Sequence, residues 1–102
     1  MQITYLGHSC FEINSKGKRI LIDPFLVLSP NYNFDGVTDI FVTHGHADHL
    51  GSAVEISRKT NAKITAIFEL ANYCASNGAN VNGINLGSWL EYDWGIIAFS
   101  AT

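Results

Sequence analysis

The chain has 102 residues, 47% of them hydrophobic and 15% charged, a composition that suits one globular domain or part of one and excludes a disordered segment. Six Lys and Arg against nine Asp and Glu give a formal net charge of -3, and the basic residues are dispersed in short groups, which argues against a nucleic-acid partner. No apolar run approaches bilayer-spanning length, and Met1 to Tyr5 starts directly in strand-like alternation without a basic and apolar leader pattern, so the expectation is a cytoplasmic protein with no membrane partner.

Three strands are expected first, over Ile3–Leu6, Cys10–Asn14 and Lys18–Asp23, the last two joined by the polar turn Ser15-Lys16-Gly17. Ile20-Leu21-Ile22 is apolar at every position, as in a strand covered on both faces, and Pro24 stops its ladder. From Phe25 to Thr38 the pattern becomes a long loop with Asp35-Gly36 as a turn near its end. A strand over Asp39–Thr43 and a helix over about 48–60, with Leu50, Ala53 and Val54 on its apolar face, place the intervening residues at a strand-to-helix turn. Lys63–Ile67 reads as a short strand and Glu69–Asn77 as a helix with Leu70, Tyr73 and Cys74 on one face, capped by Gly78. Asn82-Gly83 and Gly87-Ser88 read as turns, and Trp94–Ala101 alternates as a strand does. Trp89 and Trp94 are expected as core or interface aromatics. Cys10 and Cys74 form no paired motif and are expected as reduced thiols in packed structure.

The strand-to-helix turn carries the chemistry. Three of the chain's four histidines, His44, His46 and His49, fall with Asp48 within six positions of a turn opened by Gly45. Imidazole nitrogens and carboxylate oxygens are first-row metal ligands, and crowding them is costly unless a cation compensates their lone pairs and charge. A turn that merely caps the next helix needs one such residue and not four. In extended backbone, residues 44 and 46 point to the same side, while Asp48 and His49 sit where the chain turns and can face a second centre.

The run His44-Gly45-His46-Ala47-Asp48-His49, followed by Gly51, resembles the H-x-H-x-D-H-x-G signature of the metallo-β-lactamase superfamily. The flanking runs from Tyr5 to Phe11, from Leu21 to Phe25 and from Phe68 to Tyr73 are similar to the uncharacterised metal-dependent hydrolase group near the ascorbate-phosphate lactonase branch. The resemblance runs over essentially the whole chain. It implies an α/β fold, half of a four-layer αβ/βα sandwich, with a mixed β-sheet carrying helices on one face. It assigns His44 and His46 to a first metal and Asp48 and His49 to a second, usually zinc, with manganese or iron in some branches. Asp23 matches an aspartate at a strand end near the site, where it either orients a ligand or caps the turn before Pro24. His8 matches the glycine-histidine pair of this branch, where it either touches substrate or a leaving group beside the metals or is hydrogen-bonded within packed structure.

The activity so implied is hydrolysis of an ester, lactone, amide or phosphodiester of a small-molecule substrate by water activated on the metal, with Asp48, primarily a ligand, placed to accept a proton. Family members are about twice this length, so residues 1–102 correspond to the N-terminal half, with the C-terminal half and its further ligands absent. Two protein ligands per metal fall short of the three that catalytic zinc normally keeps. The expectations that follow are weak metal binding by the isolated chain, an exposed apolar sheet face, and a homodimer or a complementing C-terminal half as partner. Two competing readings are a non-catalytic metal-binding remnant and an iron-dependent oxidoreductase using a similar ligand run.

Overall fold

The computed structural model describes residues 1–100. The chain runs β1 (Gln2–Gly7), β2 (Cys10–Ser15), β3 (Lys18–Ile22), β4 (Val37–Phe41), α1 (Ala47–Leu50), α2 (Ala53–Thr60), β5 (Lys63–Ile67), α3 (Phe68–Ser76), β6 (Asn80–Ile84), β7 (Trp89–Tyr92) and β8 (Gly95–Ala98). Strands β1 to β6 form one sheet in sequence order, antiparallel from β1 to β3 and parallel from β3 to β6. Strands β7 and β8 make a separate antiparallel hairpin. The mixed sheet with helices on one face is the α/β architecture the sequence implied.

Each inner strand alternates between two apolar layers. Leu21, Ile40 and Ile64 pack with Ala53 and Ile56 of α2 and Cys74 of α3, whereas Ile20, Phe41 and Ile84 pack with Trp94 and Phe99 of the hairpin region. Ile20 and Leu21 are both fully buried, one toward each layer, which is why the run Ile20-Leu21-Ile22 that ends β3 is apolar at every position.

The hairpin corrects the expected open sheet face in part. Phe41 meets Tyr92, Trp94 and Phe99 at ring-centroid distances of 5.9, 6.1 and 6.5 Å, so the middle of that face is covered. The register carries the same face outward through the pairs Ile3–Ile13 and Tyr5–Phe11, where Ile3 and Tyr5 are each 61% exposed. The open surface is therefore the β1–β2 edge. Trp94 is a core residue as expected, but Trp89 lies on the outer side of the hairpin, exposed.

Other departures have local causes. Strand β4 spans Val37–Phe41, beginning and ending two residues before the expected strand. The single helix expected over 48–60 is two helices, because Gly51 has a φ of 48° and packs on the loop, where a Cβ would stand 2.4 Å from the Pro24 carbonyl oxygen. Ser52 N donates to that same oxygen at 3.1 Å and starts the second helix. Helix α3 buries Ala71 and Cys74, while Tyr73 faces outward. Asn82 and Gly83 lie within β6 and make no turn: β6 pairs with β5 along its length, and Gly83 is required where Phe68 crosses, since a Cβ there would meet its ring at 2.3 Å. The strand expected over Trp94–Ala101 is β8, Gly95–Ala98, and Ala101 lies outside the described residues.

Candidate metal centre

Three chain segments end at one edge of the sheet. β3 and β4 are parallel neighbours, and β1 runs parallel to β3 because two antiparallel pairings separate them. Their C-terminal ends deliver His8, Asp23 and the turn Thr43 to His49 to the same place, as expected where strands of an open α/β sheet run out. All six residues singled out from the sequence, His8, Asp23, His44, His46, Asp48 and His49, meet there.

Asp23 organises the floor. It is 2% exposed, with a φ of 46°, and its backbone N continues the ladder to Phe41 O at 2.9 Å. Its side chain does not cap the turn before Pro24. Oδ1 accepts from Thr43 N at 2.8 Å, and Oδ2 accepts from Thr43 Oγ1 at 2.7 Å and from His49 Nδ1 at 2.8 Å. A carboxylate only accepts, so His49 carries its proton on Nδ1 and leaves the Nε2 lone pair free. The single Thr43 hydroxyl proton is spent on Asp23. The contact between Thr43 Oγ1 and His44 Nδ1, 2.9 Å, is then a donation from His44, whose Nε2 is likewise free. One buried carboxylate thus sets the tautomers of two histidines, directly for His49 and through Thr43 for His44. Sequence reasoning missed Thr43, because its partner Asp23 lies twenty positions away and nothing local announces it.

The histidine rings converge above this floor. Ring centroids of His44 and His46 lie 4.7 Å apart, edge to face, and His44 and His49 lie 4.0 Å apart. His8 enters from the β1–β2 turn, with Nε2 3.0 Å from Asp48 Oδ2. Desolvation pushes the Asp48 carboxyl up, but the His8 hydrogen bond and the electrostatic influence of the His49 and His8 rings together outweigh it and hold the group below the ordinary aspartate value. One donor atom from each of His8, Asp48 and His49 lies within 4.8 Å of the other two. The Phe25 ring packs on His8 at 5.7 Å, so the loop after β3 forms one wall of the site.

A family model described as the beta-lactamase superfamily domain matches residues 2–91. The chain belongs to the beta-lactamase superfamily. Within that superfamily it is 42% identical over 102 residues to a UPF0173 metal-dependent hydrolase of Desulfitobacterium hafniense, covering 95% of this chain and 43% of that protein. Among solved structures it is similar to a metallo hydrolase from Ignicoccus hospitalis, with a TM-score of 0.76 and 32% identity over 89% of this chain and 42% of that one. An isothiocyanate hydrolase from Delia radicum gut bacteria matches with a TM-score of 0.70 over 91% of this chain and 44% of that one; at 19% identity the likeness shows the fold alone. This superfamily chain therefore spans under half the length of these relatives.

The relatives' names imply a metal, and the donor set fits one. Imidazole nitrogens with free lone pairs beside an ionised carboxylate suit a first-row divalent cation. The buried Asp23 behind His49 supplies the carboxylate–histidine pairing that orients such ligands.

Proposed function

We propose that this chain is the metal-binding half of a metal-dependent hydrolase acting on an ester, lactone, amide or phosphodiester of a small molecule, with zinc as the metal and manganese or iron as alternatives. The observation that carries the reading is the convergence of four histidines and Asp48 over a buried carboxylate that leaves two imidazole Nε2 atoms free. His44 and His46 would hold one ion, and Asp48 and His49 another, with Asp23 as the orienting partner. When bound, the cation would lower the pKa of a coordinated water to about 7 and polarise a substrate oxygen. The chain's own residues do the rest. Asp48, kept ionised by its histidine neighbours, accepts a proton from the attacking water. His8, 40% exposed at its side chain, closes the β1 side of the site, facing the reacting groups.

His44 and His46 are two protein ligands where catalytic zinc normally keeps three. The proposal therefore includes further donors from a complementing C-terminal half, or from a second copy of this chain in a homodimer. Either partner would also cover the exposed Ile3 and Tyr5.

Native mass spectrometry with elemental analysis tests this, followed by assays on phosphodiesters, esters and lactones. A dimer or two-chain complex with near-stoichiometric metal is expected, with turnover that chelation removes and Asp48→Asn abolishes. A metal-free monomer that takes up no added zinc would overturn the reading. A metal-loaded but inert assembly would make the chain a non-catalytic remnant, and iron content with dioxygen consumption would make it an oxidoreductase.

A further inference from the structure

We infer that the cavity behind Phe25 receives the non-reacting part of the substrate and selects an uncharged apolar group there, an alkyl chain or an aromatic ring; the inference deepens the hydrolase reading above and rests on it. The cavity measures about 520 Å³ and lies between the loop after β3 and helices α1 and α2. That is an ordinary size for a small-molecule pocket, roughly 300–1,000 Å³. Two of its lining residues also border the metal centre. Phe25 packs on His8 at a ring-centroid distance of 5.7 Å, and Ala47 stands between His46 and Asp48 in the metal turn. A molecule with its scissile bond over the histidines would extend past these two residues into the cavity. Binding of such remote atoms is one way a hydrolase raises kcat/KM.

The walls determine what enters. The loop side offers Leu26, Val27, Pro30, Tyr32 and Phe34, whose carbon surface is stabilised by contact with another apolar group. The Tyr32 hydroxyl is committed elsewhere, donating to Glu12 Oε1 and accepting from Arg19 Nη2 at 2.8 Å, so the cavity meets its ring. The helix side adds the neutral Ser52 and one charged residue, Glu55. Lys59 Nζ donates to Glu55 Oε2 at 3.1 Å and stands 6.0 Å from the Phe34 ring centroid, so that charge is already matched at the cavity's own edge. An ammonium or carboxylate on the substrate would lose hydration here without gaining a partner. An alkyl or aryl group loses nothing polar. The cavity is also formed before any ligand arrives: Ser52 N donates to Pro24 O at 3.1 Å, Arg19 holds Tyr32 and Asn33, and Ser29 Oγ donates to Leu6 O at 2.7 Å. Binding therefore orders few groups, which keeps its entropic cost low.

Two measurements test this. First, the metal-free chain is titrated with cyclohexanol, cyclohexylamine and cyclohexanecarboxylate while NMR follows the methyl groups of Leu26 and Val27. Cyclohexanol should move them at concentrations at least about tenfold lower than either charged analogue. Second, the metal-loaded assembly is assayed with an alkyl series, methyl to octyl, of the ester or phosphodiester type that it turns over. There kcat/KM should climb about fourfold per methylene until the cavity is full. Val27→Trp, at an exposed position on the cavity wall, should flatten that climb by raising KM for the long members. Methyl groups that ignore cyclohexanol, turnover independent of chain length, or a Val27→Trp series as steep as wild type would each mean that the cavity is not the substrate's, and the hydrolase reading would stand. If a metal-loaded assembly turns over none of these compounds, the hydrolase reading falls and this inference with it.

Discussion

Asp23 carries three hydrogen bonds on one buried carboxylate, all from donors. Asp23→Asn would turn an amide NH2 toward one of those donors and leave it unsatisfied. A loss of about 1–3 kcal/mol is expected, read as a lower midpoint in thermal or urea unfolding, together with a roughly 10–100-fold weaker zinc affinity. Thr43→Val should separate the two effects. His49 keeps its orienting partner and His44 loses its own, so a smaller stability change should accompany a measurable loss in the metal held by His44. Unchanged zinc binding in both variants would show that Asp23 is only a packing residue. Cys10, fully buried and close to the Asp23 charge, has its thiol pushed up to about 11 by burial first and by that charge second. It should therefore stay protonated and resist a thiol reagent at neutral pH, reacting only at the rate of unfolding; fast modification of native protein would contradict the assignment.

Where the elements join, two glycines decide where chain segments cross. Gly51 breaks the expected helix into α1 and α2 because its φ of 48° and missing Cβ let it sit against Pro24 and Phe25. Gly51→Ala should cost on the order of 1–3 kcal/mol and disturb α1, which carries Asp48 and His49. Denaturant unfolding measures the first effect and zinc titration the second. A fully stable, metal-competent variant would mean the helix break has no role in placing the site. The loop before this break is tied down at its far end as well. Arg19 donates to Glu12 Oε1 at 2.9 Å, to Tyr32 Oη at 2.8 Å and to Asn33 O at 2.7 Å, so the stretch that looked merely irregular in sequence is an anchored wall of the site.

At the scale of the described chain, the sheet is packed on one face by helices and on the other by a single hairpin. Trp94, 7% exposed and stacked on Tyr92 at 4.8 Å, bridges the hairpin to Phe41. Trp94→Ala should cost about 3–5 kcal/mol, visible in thermal unfolding; a small loss would show that the hairpin does not hold the second layer. On the hairpin-covered face of the sheet, the apolar surface left open lies at the β1–β2 edge, at Ile3 and Tyr5. Ile3→Lys combined with Tyr5→Lys should reduce self-association in sedimentation experiments while leaving the fold intact, because both side chains already face outward.

Local order was sufficient for much of this. The strands up to Ile22 were legible in hydrophobic alternation, and Lys63–Ile67 coincides with β5 residue for residue. The donor cluster was legible because four of its members are sequence neighbours on one turn. Strand β6 was not, since Asn82 and Gly83 carry turn chemistry locally, and only pairing with β5 and the crossing of Phe68 make them strand. Strand β7 lacked enough alternation over Trp89–Tyr92 to stand alone, and it exists through pairing with β8. The sequence by itself determined which residues could bind a cation, because donor chemistry belongs to side chains. Which of them meet, and which nitrogen each histidine presents, was decided by the tertiary structure. It joins His8 to Asp48 across forty positions and Asp23 to Thr43 and His49 across twenty or more, through strand pairings that no local pattern encodes.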